Sequence, residues 1–172
     1  MLFVRSQFTV REATDQDRDA IWRWRNSEAV RGWMTDSAEI PHANHVRWFE
    51  NRHRTRTAIY LLEWQGAPIG VFTFRPDPEE AGTFLMTMYL IDKFQGAGLG
   101  VVLEWFMLET AFAVPDCRKV AGFLYRDNQV LSLHRFFEFD IAPKSEEFVD
   151  ISMSRARYND VAPALRRRIF RD

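Results

Sequence analysis

A glycine-rich segment is the sharpest chemical feature of this sequence. Gln95–Gly100 reads QGAGLG and lies between an apolar run, Thr83–Ile91, and the start of a helical pattern. Glycines at such a junction let backbone N–H groups converge, and the N-terminus of the following helix adds a partial positive charge. The segment can therefore hold a phosphate or pyrophosphate.

The spacing of the loop excludes two common phosphate-binding motifs. A Walker loop needs Lys followed by Ser or Thr after its last glycine, whereas Val101 and Val102 follow Gly100 here. A dinucleotide-binding fold needs G-x-G-x-x-G, whereas glycine alternates from position 96 to position 100. Nucleotide triphosphate hydrolysis and a Rossmann cofactor are both disfavoured.

Metal and disulfide chemistry have little support in the sequence. The single cysteine, Cys117, excludes an internal disulfide and a Cys-rich zinc site, and it favours a reducing compartment. His42, His45 and His53 have no cysteine or carboxylate nearby at the spacing that zinc ligands show. We therefore expect no metal site.

The composition is that of one compact domain. The chain has 172 residues, 47% of them hydrophobic, and its formal charge is −1, which argues against a protein that coats nucleic acid. No segment reaches the roughly 18 apolar residues that a membrane span needs. We expect a cytoplasmic protein with no membrane or nucleic-acid partner. The arginine-rich segment 163–172 is interpreted as a flexible, solvated tail.

Hydrophobic periodicity predicts the order β-α-α-β-β-β-α-β-α-β. This order indicates an α/β (α+β) domain with one mixed, twisted central sheet flanked by helices. The predicted elements are a strand Phe8–Arg11, a helix Thr14–Asn26, a helix from Pro41 or Ala43 to His53, strands Thr57–Trp64 and Pro68–Arg75 joined as a hairpin, a central strand Thr83–Ile91, a helix Leu99–Ala113, a strand Lys119–Tyr125, a helix Asn128–Phe137 and a strand Phe148–Met153.

Two stretches resemble the signatures of the Gcn5-related N-acetyltransferase (GNAT) superfamily. The Gln-x-x-Gly-x-Gly spacing of Gln95–Gly100 is similar to the loop that holds the pyrophosphate of coenzyme A. Asn128–Phe139 resembles the second signature, with Leu133-His134 in place, although Glu138 stands where members carry glycine. The resemblance covers nearly the whole chain. It implies a single GNAT-like domain over 1–172, with splayed strands at the acetyl-CoA site.

The resemblance also implies roles for particular residues. His134 would be the general acid toward the coenzyme A thiolate, or would only pack on the pantetheine arm, and Tyr89 is the second candidate catalytic residue. A covalent relay through Cys117 is disfavoured, because this residue is far in sequence from the strand that carries Met88, Tyr89 and Leu90. The residues expected to bind acetyl-CoA are Met88, Leu90, Gln95, Gly96, Ala97, Gly98, Leu99, Gly100, Asn128 and Arg135.

Within the superfamily, the chain is most similar to the N-acetyltransferases of pseudaminic acid biosynthesis, a pathway that serves flagellin glycosylation. This resemblance rests on Arg25-Asn26, Val30-Arg31, Trp33-Met34, Trp48-Phe49 and the stretch 128–137. It implies acetylation of the 4-amine of a UDP-linked 4-amino-4,6-dideoxy sugar, and a homodimer as in many relatives. The residues expected to contact the acceptor are Arg31, Met34, His45, Trp48, Phe74 and Thr87.

Other readings stay open at this point. The same fold can acetylate a ribosomal-protein N-terminus, an amino acid or a polyamine, or can bind coenzyme A as a non-catalytic sensor. A polyamine pocket should be strongly acidic, whereas the front half of the chain mixes Arg23, Arg25, Arg31 and Arg47 with its acids. The general base is not identified, because neither central strand carries Asp or Glu. Water relayed along Thr87 or Tyr89, or an amine already partly neutral, can serve instead.

Overall fold

A seven-stranded mixed sheet forms the centre of the molecule. The computed structural model describes residues 2–171. Its strands are β2 (Phe8–Glu12), β3 (Ala58–Trp64), β4 (Ala67–Pro76), β5 (Thr83–Leu90), β6 (Lys119–Tyr125), β7 (Asp140–Pro143) and β8 (Phe148–Ser154). They are arranged in the order β2-β3-β4-β5-β6-β8-β7. The chain's two ends form a separate parallel pair, β1 (Phe3–Val4) with β9 (Phe170–Arg171).

Helices cover the two faces of this sheet. On one face lie α1 (Arg18–Asn26), α2 (Glu28–Arg31) and α3 (His42–Glu50), and the side chains of Ile21 and Phe49 pack there on the sheet. On the other face lie α4 (Gly100–Ala113), α5 (Leu131–Phe136) and α6 (Arg155–Ile169). Nine of the fourteen residues of α4 are buried, because this helix packs against the sheet and also against α6.

The N-terminus of α1 is fixed by a local signal that the sequence contains. Thr14 and Asp17 form a capping box at the short 3-10 turn that precedes the helix. Arg11 of β2 then donates two hydrogen bonds to the Asp17 carboxylate, at 2.7 and 2.8 Å. These contacts anchor the start of α1 to the edge of the sheet.

α1 also holds the irregular segment that follows α2. The Trp22 indole donates to the Ile40 carbonyl at 2.7 Å, and the Asn26 amide both donates to and accepts from the Ile40 backbone at 2.9 Å. The segment 32–41 is therefore tied down at its far end. This matters for function because its residues form one wall of the cavity described below.

The predicted fold class and order of elements are confirmed, with additions and one correction. The sequence analysis missed the edge strand β7 and the short helix α2. Within the predicted flexible tail 163–172, of which residues 163–171 are described, it was wrong, because the chain from Arg155 to Ile169 is one helix with Pro163 inside it. Leu165, Ile169 and Phe170 are buried against the main core, so this end of the chain is part of the fold. None of the described helices is both long and apolar enough to cross a membrane.

Candidate active site

The candidate active site opens where β5 and β6 separate. These strands pair in parallel only where Thr83–Leu85 of β5 lie beside Lys119–Ala121 of β6. Both strands continue for several residues beyond this pairing. Beyond that point the strands diverge, as the resemblance implied. A cavity of about 710 Å³ lies at the divergence and is lined by residues of both strands. The splay thus exposes backbone groups of β5 that a continuous sheet would use in pairing.

The glycine loop forms one end of this cavity. Gly96 and Gly98 both have φ of +75°, a backbone conformation that glycine adopts without strain. Nothing lies within 4 Å of the position that a Cβ would take at either residue, so this side of the loop is open. α4 begins at Gly100 without a side-chain cap, and the first of its N–H groups to bond to the Leu99 carbonyl is that of Val102, so the N–H groups of Gly100 and Val101 are left for a ligand. The loop therefore fits an anionic group such as a pyrophosphate.

Most of the residues expected to bind acetyl-CoA line the cavity. They are Met88, Leu90, Gln95, Gly96, Gly98, Gly100 and Asn128. Ala97 and Leu99 face a separate cavity of about 210 Å³ on the other side of the loop. Arg135 is exposed and does not line the main cavity. Roles in acetyl-CoA binding remain predictions for all of these residues.

Tyr89 contributes to the cavity from β5, but its phenol is engaged elsewhere. The hydroxyl lies 3.5 Å from the Ile21 carbonyl and donates toward it. Burial raises the pKa of the Tyr89 phenol well above its usual range. At neutral pH the phenol is therefore a protonated donor toward α1, and its role in catalysis remains a prediction.

His134 lines the cavity and is paired with a buried carboxylate that sequence reasoning missed. The His134 Nδ1 atom lies 2.6 Å from Oε1 of Glu104, which is fully buried on α4. Burial raises the pKa of Glu104, and the nearby His134 acts in the opposite direction. One signal for this site was present in the sequence. Glu104 is the one charged residue within Val101–Leu108, an otherwise apolar part of α4.

The packing of α5 on α4 brings these two residues together. A Cβ at Gly100 would lie only 3.2 Å from a methyl carbon of Leu133, so the two helices approach closely there. Glu104 lies one turn further along α4, and His134 is the next residue after Leu133. The glycine that begins α4 therefore also permits the contact between Glu104 and His134.

A second part of the cavity lies on the face of the sheet that α1–α3 cover only partly. Thr73 and Arg75 of β4, Thr87 of β5 and Phe123 of β6 line it. The opposite wall comes from the segment after α2 and consists of Trp33, Met34 and Thr35. The Tyr125 hydroxyl lies 3.4 Å from the Thr35 carbonyl and donates toward it, which links the wall to the floor.

The charge of this cavity is distinctive. Among the described residues that line it, none is Asp or Glu, and Arg75 is the one residue with a permanent positive charge. An anionic ligand would meet a favourable cation here. A polycationic ligand would find no carboxylate.

The residues expected to contact the acceptor are only partly brought together. Met34 and Thr87 line the cavity. Arg31 does not, and its guanidinium donates to the Ser37 carbonyl at 3.2 Å. Phe74 is 4% exposed and packs against Phe72 and Tyr60 in the main core. The cavity-lining residue beside it is Arg75, because neighbouring strand residues face opposite sides of a sheet.

Two further expected residues lie on α3, away from the cavity lining. The buried His45 imidazole donates from Nε2 to the Arg18 carbonyl at 2.8 Å, and burial lowers its pKa. Trp48 is partly exposed and packs against the rings of His45 and Phe49. The His45 hydrogen bond ties α3 to α1, whereas these Trp48 contacts lie within α3. A role of either residue toward an acceptor stays a prediction that these contacts do not support.

Cys117 lies outside the lining of the candidate active site. Its thiol is buried, lies 3.7 Å from the Lys119 carbonyl, and is not part of the cavity lining. Burial raises the pKa of this thiol, so the reactive thiolate is disfavoured. Among residues 2–171, no group of three or more His, Cys, Asp or Glu side chains is arranged to hold a metal ion.

A comparison with protein families identifies the class of this chain. The model of the acetyltransferase (GNAT) family matches residues 18–139, which is most of the sequence. The chain therefore belongs to the GNAT acetyltransferase family. The expectation of an acetyl-CoA-dependent N-acetyltransferase is confirmed at this level. No curated protein sequence matches the chain significantly.

Solved structures with the same fold include several acetyltransferases. Aminoglycoside acetyltransferase AAC(6')-Ib in complex with coenzyme A is 17% identical with a TM-score of 0.77, over 90% of this chain and 99% of that one. A ribosomal-protein-alanine N-acetyltransferase from Brucella melitensis is 19% identical with a TM-score of 0.70, over 85% and 99%. The acetyl-CoA complex of yncA from Salmonella typhimurium is 18% identical with a TM-score of 0.68, over 86% and 94%. At these identities the likeness establishes the fold.

Proposed function

We propose that this acetyltransferase transfers an acetyl group from acetyl-CoA to the 4-amine of a UDP-linked 4-amino-4,6-dideoxy sugar. In this proposal the product feeds a nonulosonic acid pathway of the pseudaminic type in the cytoplasm. The observation that carries the choice of acceptor is the charge of the cavity. Its described lining contains Arg75 and no carboxylate.

The loop and the splayed strand together fit acetyl-CoA. Gly96 and Gly98 leave open space on the side where a pyrophosphate would approach the start of α4. The backbone of Met88–Leu90 would hold the pantetheine arm and the acetyl carbonyl. Asn128 would hold the pantetheine arm from the other side of the cavity. The site thus positions the thioester at the divergence of β5 and β6.

The second part of the cavity fits an anionic acceptor better than a cationic one. A nucleotide sugar carries a diphosphate, which a guanidinium such as that of Arg75 can bind through two hydrogen bonds. The exposed ring of Phe123 and the indole of Trp33 offer flat apolar surfaces for a deoxy sugar or a uracil ring. Aminoglycosides and polyamines are cations, and the lining residues that the structure describes offer them no acidic partner.

The reaction would be a direct transfer in a ternary complex. The neutral amine attacks the thioester carbon, and the C–S bond breaks as the amide forms. His134 would donate a proton to the departing thiolate, and the proton lost by the amine would leave through water. The described lining residues include no carboxylate that can act as the base, which favours a relay through water near Thr87. Orientation of the two substrates supplies much of the rate.

Thiol release from acetyl-CoA tests this proposal. The assay compares four acceptors: the UDP-linked 4-amino sugar, spermidine, an alanine-starting peptide and kanamycin. The matched control is the same UDP-sugar with a 4-hydroxyl in place of the amine. We expect turnover with the 4-amino sugar alone. Turnover with the peptide or a polycation, but not with the sugar, would overturn the acceptor. Binding of acetyl-CoA without turnover on any amine would instead support a sensor.

A further inference from the structure

Glu104 is a buried carboxylate with an unusual set of contacts. It is 0% exposed, its Oε1 lies 2.6 Å from His134 Nδ1, and its Oε2 has no hydrogen-bond partner among the described residues. Burying a carboxylate is costly unless a partner compensates its charge. His134 is the hydrogen-bond partner that the described residues give to Glu104. The two residues therefore act as a unit.

We infer that Glu104 is the positioning residue for His134, and that it fixes the imidazole with Nδ1–H on the carboxylate and Nε2 toward the cavity. The inference rests on the proposed function, in which His134 protonates the thiolate of coenzyme A. Because the two ring nitrogens lie on opposite sides of the imidazole, the bond at Nδ1 leaves Nε2 for the ligand. The Phe139 ring, with its centroid 5.1 Å from that of His134, packs against the histidine and limits its rotation.

The pair of His134 and Glu104 can give up one proton while the hydrogen bond between Nδ1 and Oε1 stays in place. Before transfer it holds two exchangeable protons, one shared between Nδ1 and Oε1 and one on Nε2. As the C–S bond of the tetrahedral intermediate breaks, the electron pair passes to sulfur and the Nε2 proton follows it. The pair then holds only the shared proton. The Nε2 proton is replaced from solvent after coenzyme A leaves, so the overall cycle balances.

A carboxylate at position 104 does more in this arrangement than hold a ring in place. When ionised, it also places a negative charge 2.6 Å from Nδ1 of the ring. A neutral amide at the same position could accept the same hydrogen bond but would supply no charge. This difference allows a structural role to be separated from a role in proton transfer.

The experiment uses Glu104→Gln, which removes the charge, and Glu104→Met, which removes the acceptor. Glu109→Gln is the matched control, because Glu109 lies on the same helix and pairs instead with Arg5 at 2.6 Å. Steady-state kinetics are measured across pH with the acceptor that supports turnover. We expect kcat to fall at least tenfold in both Glu104 variants, with KM for acetyl-CoA within about twofold. The shape of the kcat profile against pH should differ between Glu104→Gln and the wild type, because the amide carries no charge beside the ring.

Nitrogen-15 NMR of the four histidines tests the geometry without any acceptor. The signals of His134 are assigned by their loss in His134→Gln. In the wild type at alkaline pH we expect the Nδ1–H tautomer, and addition of coenzyme A should shift the Nε2 resonance. Glu104→Met should lose the preference for that tautomer.

These measurements separate failure of the inference from failure of the proposed acceptor. An Nε2–H tautomer in the wild type, or an Nε2 signal that bound coenzyme A leaves unchanged, overturns the inference. A kcat profile of Glu104→Gln that superimposes on that of the wild type overturns it as well. If no sugar nucleotide turns over while the NMR result is as expected, the geometry stands and only the acceptor is wrong. If the variants do not fold, the wild-type spectra decide alone.

Discussion

The carboxylate of Glu138 accepts a hydrogen bond from the Arg157 guanidinium, which ties the end of α5 to α6. Glu138 has a φ of +63°, the left-handed conformation that glycine adopts most easily. Glu138 lies just after α5, the helix that carries His134. The glutamate therefore keeps the backbone turn that the family's glycine would favour, and its side chain adds a contact to the C-terminal helix.

The turn at position 138 can be tested by comparing Glu138→Gly with Glu138→Ala. Both variants lose the pair with Arg157, but only alanine retains the strain of a left-handed backbone. We expect the glycine variant to be more stable than the alanine variant by about 1 kcal/mol in urea unfolding. Equal stability of the two variants would show that the turn does not require a left-handed residue.

Coenzyme A binding should depend on the open glycines of the loop. Gly98→Ala places a methyl group on a left-handed backbone, and on the side where the pyrophosphate would approach. We expect the Kd for coenzyme A, measured by calorimetry, to rise at least tenfold.

The matched control is Gly66→Ala, in the hairpin between β3 and β4. Gly66 has a φ of +79° and also has open space around its Cβ position, but it lies outside the cavity. The Gly66→Ala variant should lose a similar free energy of unfolding, about 1 kcal/mol, while its Kd for coenzyme A stays unchanged. A similar Kd for wild type and Gly98→Ala would contradict the proposed role of the loop.

Acceptor binding should depend on Arg75 more than on Arg31. A hydrogen bond to a charged group contributes about 1.5–3 kcal/mol, so Arg75→Gln should raise KM for a nucleotide sugar about tenfold or more. KM for acetyl-CoA should change little. Arg31→Gln removes a residue that the sequence favoured but that the structure places outside the cavity lining. A larger effect at Arg31 than at Arg75 would reverse this assignment.

Cys117→Ser should leave catalysis nearly intact. The thiol is buried away from the cavity, so we expect kcat within about twofold of the wild type. Burying a hydroxyl there should cost about 1 kcal/mol of stability. A loss of turnover in a folded Cys117→Ser variant would point instead to an acetyl-cysteine intermediate, which rapid-quench mass spectrometry would detect.

The free energy of unfolding should decrease in acid, because Asp17 becomes protonated. Hydrogen bonds from Arg11 lower the pKa of Asp17 to about 2, below its usual 3.8. A lowered pKa in the folded state means that the stabilisation is complete above the unfolded pKa and is lost as pH falls toward 2. Asp17→Asn should therefore cost about 2 kcal/mol at pH 7 and progressively less between pH 4 and pH 2. Asp15→Asn is the control, because the Asp15 side chain is 84% exposed. A pH-independent cost of Asp17→Asn would contradict this account.

Local sequence patterns predicted the elements that position the cofactor. The capping pair Thr14 and Asp17 marked the start of the first helical segment, and the glycine spacing at 96–100 marked the junction of β5 and α4. Both signals act within a few residues, so they can be read without knowing the fold. The strand β6 was predicted with the bounds that the structure gives it.

The end of the chain was misread because its burial depends on distant partners. Arg166, Arg167 and Arg168 indicated a solvated tail. Leu165 and Ile169, spaced four residues apart, instead face the core, while the strand β9 pairs with β1 at the other end of the chain. The sequence of this segment contains the helical spacing, but only the rest of the fold supplies the surface against which it packs.

The sequence by itself indicated the family and placed the glycine loop between β5 and α4, because both depend on residues close together along the chain. The tertiary structure decided which side chains meet. It brought Glu104 to His134 across 30 positions of sequence. It also turned Arg75 toward the cavity and Phe74 toward the core. These relationships depend on how α5 packs on α4 and on which face of β4 is covered, and both follow from long-range packing that local periodicity does not contain.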